Sequence, residues 1–340
     1  MTDRETRAAS KTSHLIPVRA AACALALALC LCLAGCAQQQ GSAASASESA
    51  SASGAAASIE APAPDAEIAD ITTVAYLGPK GTYTEEAALL FFGNNDELMP
   101  KDTVADALAL VADGTAAYAV IPQENTLGGP VIDYIDAFLA SNDVNVVGEV
   151  VLPIRQTLMG LPGTDLAQVT RVLSHKQGLA QSATWLDENL PNADRIEAKS
   201  TAAAAQEVAE SGNASTVAIA APGAADLYGL AVLQENVSQS DANKTRFYVV
   251  SKRANERPGY NCAVFAASST AEELPDILET ACQNGTRLTC VHDRPEGSAL
   301  GSYRYVIELE RESGFADEEI SRLKDAGKLE YLGSFARVEG

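Results

Sequence analysis

Residues 73–92 read TVAYLGPKGTYTEEAALLFF. The first five residues form an apolar run typical of a short buried strand, and a turn with two glycines follows it. Thr82 and the acidic pair after it then predict the N-terminus of a helix. Because the free N–H groups of a helix N-terminus can bind an anion, this stretch predicts a strand, a ligand-binding turn and a helix.

The same pattern continues along the chain. Strands are predicted at residues 118–121, 144–151, 169–174, 216–221 and 245–250, and helices at 104–113, 131–140, 177–189 and 202–210. Short strands that alternate with helices predict an α/β fold, and a ligand is expected at the strand ends.

The chain is strongly acidic. It has 24 Lys and Arg against 45 Asp and Glu, for a formal net charge of -21. Such a surface repels phosphate backbones and anionic headgroups, so a nucleic acid partner is not expected. A small anionic ligand would need local Arg side chains or backbone N–H groups.

The N-terminal segment is predicted to lie outside the fold. Residues 1–35 combine a basic start, an Ala/Leu/Cys run and the sequence LAG before Cys36. This end resembles a bacterial lipobox, which implies a signal peptide over 1–35, a lipid on Cys36 and an exported protein anchored to the bacterial membrane. An ordinary signal peptide with a coincidental cysteine is the alternative. Residues 36–70 are rich in Ser, Ala and Pro and predict a disordered tether.

Three cysteines remain after this segment: Cys262, Cys282 and Cys290. Their spacing lacks a CxxC or Cys/His zinc pattern, so neither a zinc site nor a disulfide framework is expected. Buried thiols are the favoured interpretation, although one disulfide stays possible.

Polar motifs follow or precede several predicted strands. They are GPKGTYTEEAA from residue 78, IPQENTLGG from 121, LSHKQGLAQSATWL from 173, STAAAAQ from 200 and NKTRFYVV from 243. In this order they resemble the motifs of the prephenate dehydratase family, over residues 73–252. Gln123, Lys176, Gly178 and Ser182 stand where the family has Ile, Pro, Ala and Cys.

The resemblance implies a bilobal, periplasmic-binding-protein-like catalytic domain over residues 71–252. It also implies conversion of prephenate, a dicarboxylate, to phenylpyruvate with loss of carbon dioxide and water, without a metal or organic cofactor. Thr245 matches the catalytic threonine, which would hydrogen-bond the departing hydroxyl group. Glu124 and Asn125 match further catalytic positions, and Ser174 and Gln181 match substrate-binding positions.

Other groups are candidates for binding the dianion. They are Arg246 and the N–H groups at Gly81 and Thr82. Because successive residues of a strand point to opposite faces, Arg246 is alternatively a structural ion-pair partner.

A second unit follows over residues 258–338. Its predicted βαββαβ order resembles an ACT domain, a ferredoxin-like regulatory module that follows many members of this family. The sequence VHDRP at residues 291–295 resembles the Glu-Ser-Arg-Pro segment of that module, with the Arg and Pro kept. Asp293 and Arg294 are the regulatory candidates, for an ammonium group and a subunit contact respectively. A homodimer with weak phenylalanine sensing is expected.

These features predict an exported prephenate dehydratase. The location conflicts with a substrate known as a cytosolic intermediate. The alternative is a surface-tethered, non-catalytic binding protein for an aromatic or dicarboxylate metabolite on the same fold. Dehydration of arogenate, which differs by one amino group, also stays open.

Overall fold

The computed structural model describes residues 72–93, 97–141, 143–255 and 259–337. The predicted signal peptide, Cys36 and the tether lie outside these residues. Among the described helices, none has the length and apolar character needed to cross a bilayer.

Strands and helices alternate over most of this part of the chain. The strands are β1 (Val74–Leu77), β2 (Leu98–Lys101), β3 (Tyr118–Asn125), β4 (Gly129–Pro130), β5 (Asn145–Pro153), β6 (Thr157–Gly160), β7 (Arg171–Ser174), β8 (Asp194–Glu197), β9 (Thr216–Ala220), β10 (Ala231–Gln234), β11 (Lys244–Ser251), β12 (Cys262–Thr270), β13 (Arg287–Pro295), β14 (Ser302–Glu310) and β15 (Glu330–Phe335). The helices are α1 (Tyr83–Phe92), α2 (Val104–Ala112), α3 (Ile132–Ala140), α4 (Lys176–Gln181), α5 (Ala183–Asn189), α6 (Thr201–Ser211), α7 (Gly223–Tyr228), α8 (Leu274–Ala281) and α9 (Asp317–Ala326). The mixed α/β class agrees with the prediction.

Two sheets are built from residues 74–251. The first has the order β2-β1-β3-β11-β5 with β4 beside β3, and the second has the order β10-β6-β9-β7-β8. β1 runs parallel to both of its neighbours, whereas β11 runs antiparallel to β3 and β5. The second sheet is therefore inserted in the chain between β5 and β11.

The glycine turn before α1 is closed by its own side chains. Thr82 caps the helix by accepting a hydrogen bond from the Glu85 N–H. The Glu85 carboxylate accepts from the Gly81 N–H at 2.6 Å and from the Tyr76 hydroxyl at 2.7 Å. Gly81 has a φ of 79°, which favours glycine. The turn is thus held in one conformation by Glu85.

Strand β11 is buried on both faces. Phe247 and Val249 pack in the core beneath α1, on one face of the first sheet. Tyr248 and Val250 pack on the other face, in a core that includes Phe335 of the C-terminal unit. Since the residues of a strand alternate between faces, β11 contributes to both cores at once.

The C-terminal unit is a four-stranded sheet with two helices. Its strand order is β13-β14-β12-β15, with antiparallel pairing throughout, and its element order is βαββαβ, as predicted. Gly333 of β15 has a φ of 124°, and a Cβ there would lie 2.3 Å from the Val146 carbonyl oxygen of β5. A glycine is needed there because the two backbones lie so close.

The structure differs from the prediction in short elements. The helix predicted at 177–189 is interrupted at Ser182 into α4 and α5. Strands β2, β4, β6, β8 and β10 and helix α7 were not predicted. All of these elements are at most six residues long, and β8 is mostly exposed. The three described cysteines are free thiols, and Cys282 is exposed rather than buried.

Candidate functional site

A cavity of about 300 Å³ is lined by residues of both the first and the second sheet. This volume lies at the lower end of the roughly 300–1,000 Å³ range of small-molecule sites. Its polar lining consists of Thr82, Thr84, Asn125, Gln156, His175, Gln177, Gln181, Lys199, Ser200, Thr201 and Thr245. Apolar side chains, including those of Val131, Ile154 and Phe247, form much of the remaining wall.

The Thr245 hydroxyl is held by a buried amide. Asn125 donates from Nδ2 to Thr245 Oγ1 at 2.9 Å, to Asn243 Oδ1 at 2.8 Å and to the Lys244 carbonyl at 3.1 Å. Its Oδ1 accepts from the N–H groups of Leu127 and Gly128. Because backbone groups fix both ends of this amide, Thr245 Oγ1 accepts from Asn125, and its own proton is available to a ligand.

Three features around the cavity favour an anion. The N-termini of α1 and α6 both open onto it, capped by Thr82 and Ser200. Lys199 also lines it. Helix N-termini and a lysine ammonium group all favour an anion, although the protein as a whole is acidic.

Two glutamines form one wall of the cavity. Gln156 donates from Nε2 to Gln181 Oε1 at 3.0 Å. The wall is tied to a following loop, where Ser238 Oγ accepts from the Gln156 N–H and the Gln239 N–H donates to the Gln181 carbonyl. Gln156 Oε1 is buried and has no hydrogen-bond partner among the described residues. The wall therefore contains one buried hydrogen-bond acceptor that is not used within the described part of the protein.

The opposite face of the first sheet carries a network of charges. Arg246 donates to Glu308 at 2.9 Å and to Glu124 at 3.0 Å, and its guanidinium lies 3.5 Å from Glu149. Arg337 binds Glu149 at 2.8 Å and Glu308 at 2.5 Å. This network joins β3, β5 and β11 to the C-terminal unit directly behind the cavity.

Glu308 lies at the centre of this network. Only 1% of it is exposed, and it also accepts from the Tyr248 hydroxyl at 2.6 Å. Burial raises the pKa of Glu308, but Arg246, Arg337 and the Tyr248 hydroxyl outweigh burial and hold the pKa below its ordinary value. Glu308 is therefore a buried carboxylate anion between two guanidinium groups.

The family model described as prephenate dehydratase matches residues 74–255, more than half of the chain. The chain belongs to the prephenate dehydratase family. The bifunctional chorismate mutase/prephenate dehydratase of Aquifex aeolicus is 37% identical over 271 residues, which are 78% of this chain and 74% of that protein. The prephenate dehydratase of Amycolatopsis methanolica is 34% identical over 278 residues, 79% of this chain and 90% of that protein. The structure of prephenate dehydratase from Arthrobacter aurescens in complex with L-Phe has a TM-score of 0.70 and 32% identity, and covers 78% of this chain and 90% of that chain.

The structure brings together four of the residues predicted from the prephenate dehydratase motifs. Thr82, Asn125, Gln181 and Thr245 all line the cavity. These residues come from four different sequence motifs, which the fold brings together at one site.

Glu124 and Arg246, which were predicted to be site residues, are not among the residues that line the cavity. Each neighbours a cavity residue in its strand, Asn125 and Thr245 respectively, and therefore points to the opposite face. They pair with each other there. Of the two interpretations of Arg246, the structural ion pair is the one that its contacts support.

Two further predicted groups have other roles. The Ser174 hydroxyl is fully buried and donates to the Ile219 carbonyl at 2.7 Å. Gly178 of α4 packs on it, since a Cβ there would lie 2.4 Å from the Ser174 oxygen. The Gly81 N–H is used by Glu85. Ser174 and Gly81 therefore stabilise the structure around the cavity, and neither of them lines it.

Sequence reasoning missed Gln156 and Lys199 and gave His175 only a local role. His175 lines the cavity, and its Nδ1 accepts from the Gln177 N–H, so a neutral ring carries its proton on Nε2. Lys199 directly precedes the STAAAAQ motif, which was a usable signal. Gln156 lies in no recognised motif, so the sequence contained no signal for it.

Proposed function

We propose that this chain is a prephenate dehydratase that converts prephenate to phenylpyruvate in aromatic amino acid biosynthesis. The observation that carries the proposal is the Thr245 hydroxyl, which Asn125 holds at a small cavity that Lys199 also lines. Membership of the family supports it. We further propose that residues 71–252 are the bilobal catalytic domain that the motifs imply.

The reaction breaks two bonds of the substrate. The bond between the ring carbon and its carboxylate breaks, carbon dioxide leaves, and the electron pair left behind completes the aromatic ring. This displaces the hydroxyl group on the opposite carbon, which takes up one proton and leaves as water. No electrons are exchanged with another molecule, so the chain's task is to stabilise the departing oxygen.

Thr245 supports this step as a hydrogen-bond donor. Its oxygen already accepts from Asn125, so its proton is directed at the substrate. A donor aimed at the developing charge on the departing oxygen lowers the barrier, because it is in place before the reaction begins. Asn125 is a positioning residue in this scheme.

The remaining groups suit a dicarboxylate. Lys199 and the N-termini of α1 and α6 favour the two negative charges of prephenate. We therefore assign to Lys199 the countercharge that the sequence gave to Arg246.

The deciding experiment incubates the purified protein with prephenate and follows phenylpyruvate, with arogenate in a parallel reaction. We expect turnover of prephenate. Calorimetric binding of prephenate without any product would contradict the proposal and support the binding-protein alternative.

We also propose that the protein is exported and held at the bacterial membrane by a lipid on Cys36. Replacement Cys36→Ser is expected to move the protein from the membrane to the soluble or unprocessed fraction, because the thioether to the lipid needs the sulfur. Fractionation and mass spectrometry of the N-terminus measure this. A full-length, unlipidated cytosolic protein would contradict the proposal.

The C-terminal unit is proposed to be an ACT-type domain that assembles a homodimer. Its βαββαβ order and the retained Arg294 and Pro295 support this assignment. Arg294 itself binds Asp136 of α3 in the same chain, at 2.5 and 2.9 Å, so the subunit contact predicted for it must come from other residues. The edge strand β13, with Leu288 exposed, is available for that contact.

Phenylalanine is expected to inhibit the enzyme weakly or not at all. Asp293 is exposed, whereas the preceding His292 is buried with its ring against Tyr134 of α3 and does not take the place of the Glu in the family segment. Titration of phenylalanine into the activity assay, with calorimetry alongside, measures the effect. Strong inhibition with stoichiometric binding would show that these substitutions are tolerated.

A further inference from the structure

Three side chains with different donor atoms meet where the first sheet contacts the C-terminal unit. They are the Glu124 carboxylate, the Cys290 thiol and the His292 imidazole, and their donor atoms all lie within 4.8 Å of one another. Cys290 and His292 are alternate residues of β13 and so share one face of that strand, while Glu124 comes from β3. We propose that these three residues bind a divalent transition-metal ion, with zinc as the favoured ion.

The spacing of the donors suits a four-coordinate ion. Zinc bonds of about 2.0–2.3 Å at tetrahedral angles put neighbouring ligand atoms roughly 3.3–3.8 Å apart. Cys290 Sγ and His292 Nε2 are 3.2 Å apart, so this pair is close to that separation. The Glu124 side chain is 34% exposed and has room to rotate toward them. A thiolate, an imidazole and a carboxylate are each ligands that zinc uses in proteins.

Polar atoms without partners lie beside the three ligands. His292 is only 5% exposed, and its Nδ1 has no hydrogen-bond partner in the described part of the chain. Gln123 is fully buried, its Nε2 lies 3.7 Å from Cys290 Sγ, and its Oε1 is likewise unpartnered. Buried polar atoms without partners are rare, so this pocket fits a polar or charged occupant, with Gln123 available to orient the ligands.

The charge balance also favours a cation. Among the described residues, the network behind the cavity has four carboxylates against three guanidinium groups, which leaves one negative charge in excess. Its members are Glu124, Glu149, Glu308, Glu310, Arg246, Arg287 and Arg337. A doubly charged ion bound with a Cys290 thiolate adds one positive charge, which neutralises the whole group.

Binding requires the Cys290 S–H bond to break, with the proton released to solvent as the sulfur–metal bond forms.

The test is a titration of the purified, reduced protein with zinc against a colorimetric chelator, and with cobalt(II) as a spectroscopic probe. We expect one tight site per chain and a thiolate-to-cobalt charge-transfer band. Loss of an outer-sphere partner typically lowers metal affinity roughly 10–100-fold, so Cys290→Ser, which removes a ligand, should lower it about 100-fold or more and abolish the band. The matched control is Cys282→Ser, which removes an exposed thiol outside the cluster and should change neither.

A second measurement uses the unaltered chain. Zinc should slow the modification of Cys290 by a thiol reagent, read by mass spectrometry, while Cys282 reacts at an unchanged rate. Equal metal binding by the Cys290→Ser variant, absence of a stoichiometric site, or modification of Cys290 at the same rate with and without zinc would each overturn the proposal. None of these readouts depends on turnover of prephenate.

Discussion

Replacement Thr245→Ala is expected to lower turnover of prephenate by about 100-fold or more, the scale of a lost transition-state hydrogen-bond donor. Substrate binding should change much less, because Lys199 and the helix N-termini hold the carboxylates independently of Thr245. Steady-state kinetics measure both quantities, with the loss in kcat and little change in KM.

The conservative variant Thr245→Ser is the control for this experiment. A serine keeps the oxygen that accepts from Asn125 and the proton aimed at the cavity, so most of the activity should return. Near-full turnover by Thr245→Ala would show that Thr245 is not the donor.

Replacement Glu308→Ala is expected to destabilise the protein by about 3–5 kcal/mol, because it leaves Arg246 and Arg337 buried without their shared carboxylate. Urea unfolding measures the free energy. Asp136→Asn is the matched control: it breaks an ion pair whose aspartate is 52% exposed, and an exposed pair contributes at most about 1 kcal/mol. Equal effects of the two variants would mean that the buried network contributes little.

The contribution of Glu308 should also depend on pH. Its pKa is lowered in the folded protein, so its stabilising effect is complete above the ordinary pKa of glutamate and is lost as the pH falls through the folded value. Unfolding at a series of acidic pH values should therefore bring the wild type closer to Glu308→Gln.

The order of strands and helices could be predicted from the sequence because apolar periodicity is a local property. The helix at 104–112 and the strands around Tyr118, Thr216 and Thr245 follow that pattern. Strand β8, with the sequence DRIE, could not be found, since its pairing with β7 and not its composition makes it a strand. The sheet order is likewise decided by contacts between distant segments.

A sequence motif identifies residues near the site. It does not show which face of a strand each side chain lies on, and that face decides whether the residue reaches the cavity. Asn125 and Thr245 line the cavity, whereas Glu124 belongs to the same motif as Asn125 but points to the other face. The sequence showed no metal-binding motif for Glu124, Cys290 and His292, because Glu124 is far from the other two residues along the chain.

Strand β11 has a consequence for how this protein can evolve. Its odd-numbered residues serve the cavity and the core beneath α1, and its even-numbered residues serve the C-terminal unit. A deletion or insertion of one residue would exchange the two faces, turning the Arg246 guanidinium toward the substrate and the Thr245 hydroxyl toward the carboxylates. The sequence of β11 can therefore change by substitution but not by insertion or deletion. Within β11, a change in the contact with the C-terminal unit falls on Arg246, Tyr248 and Val250, while Thr245 and Phe247 line the cavity.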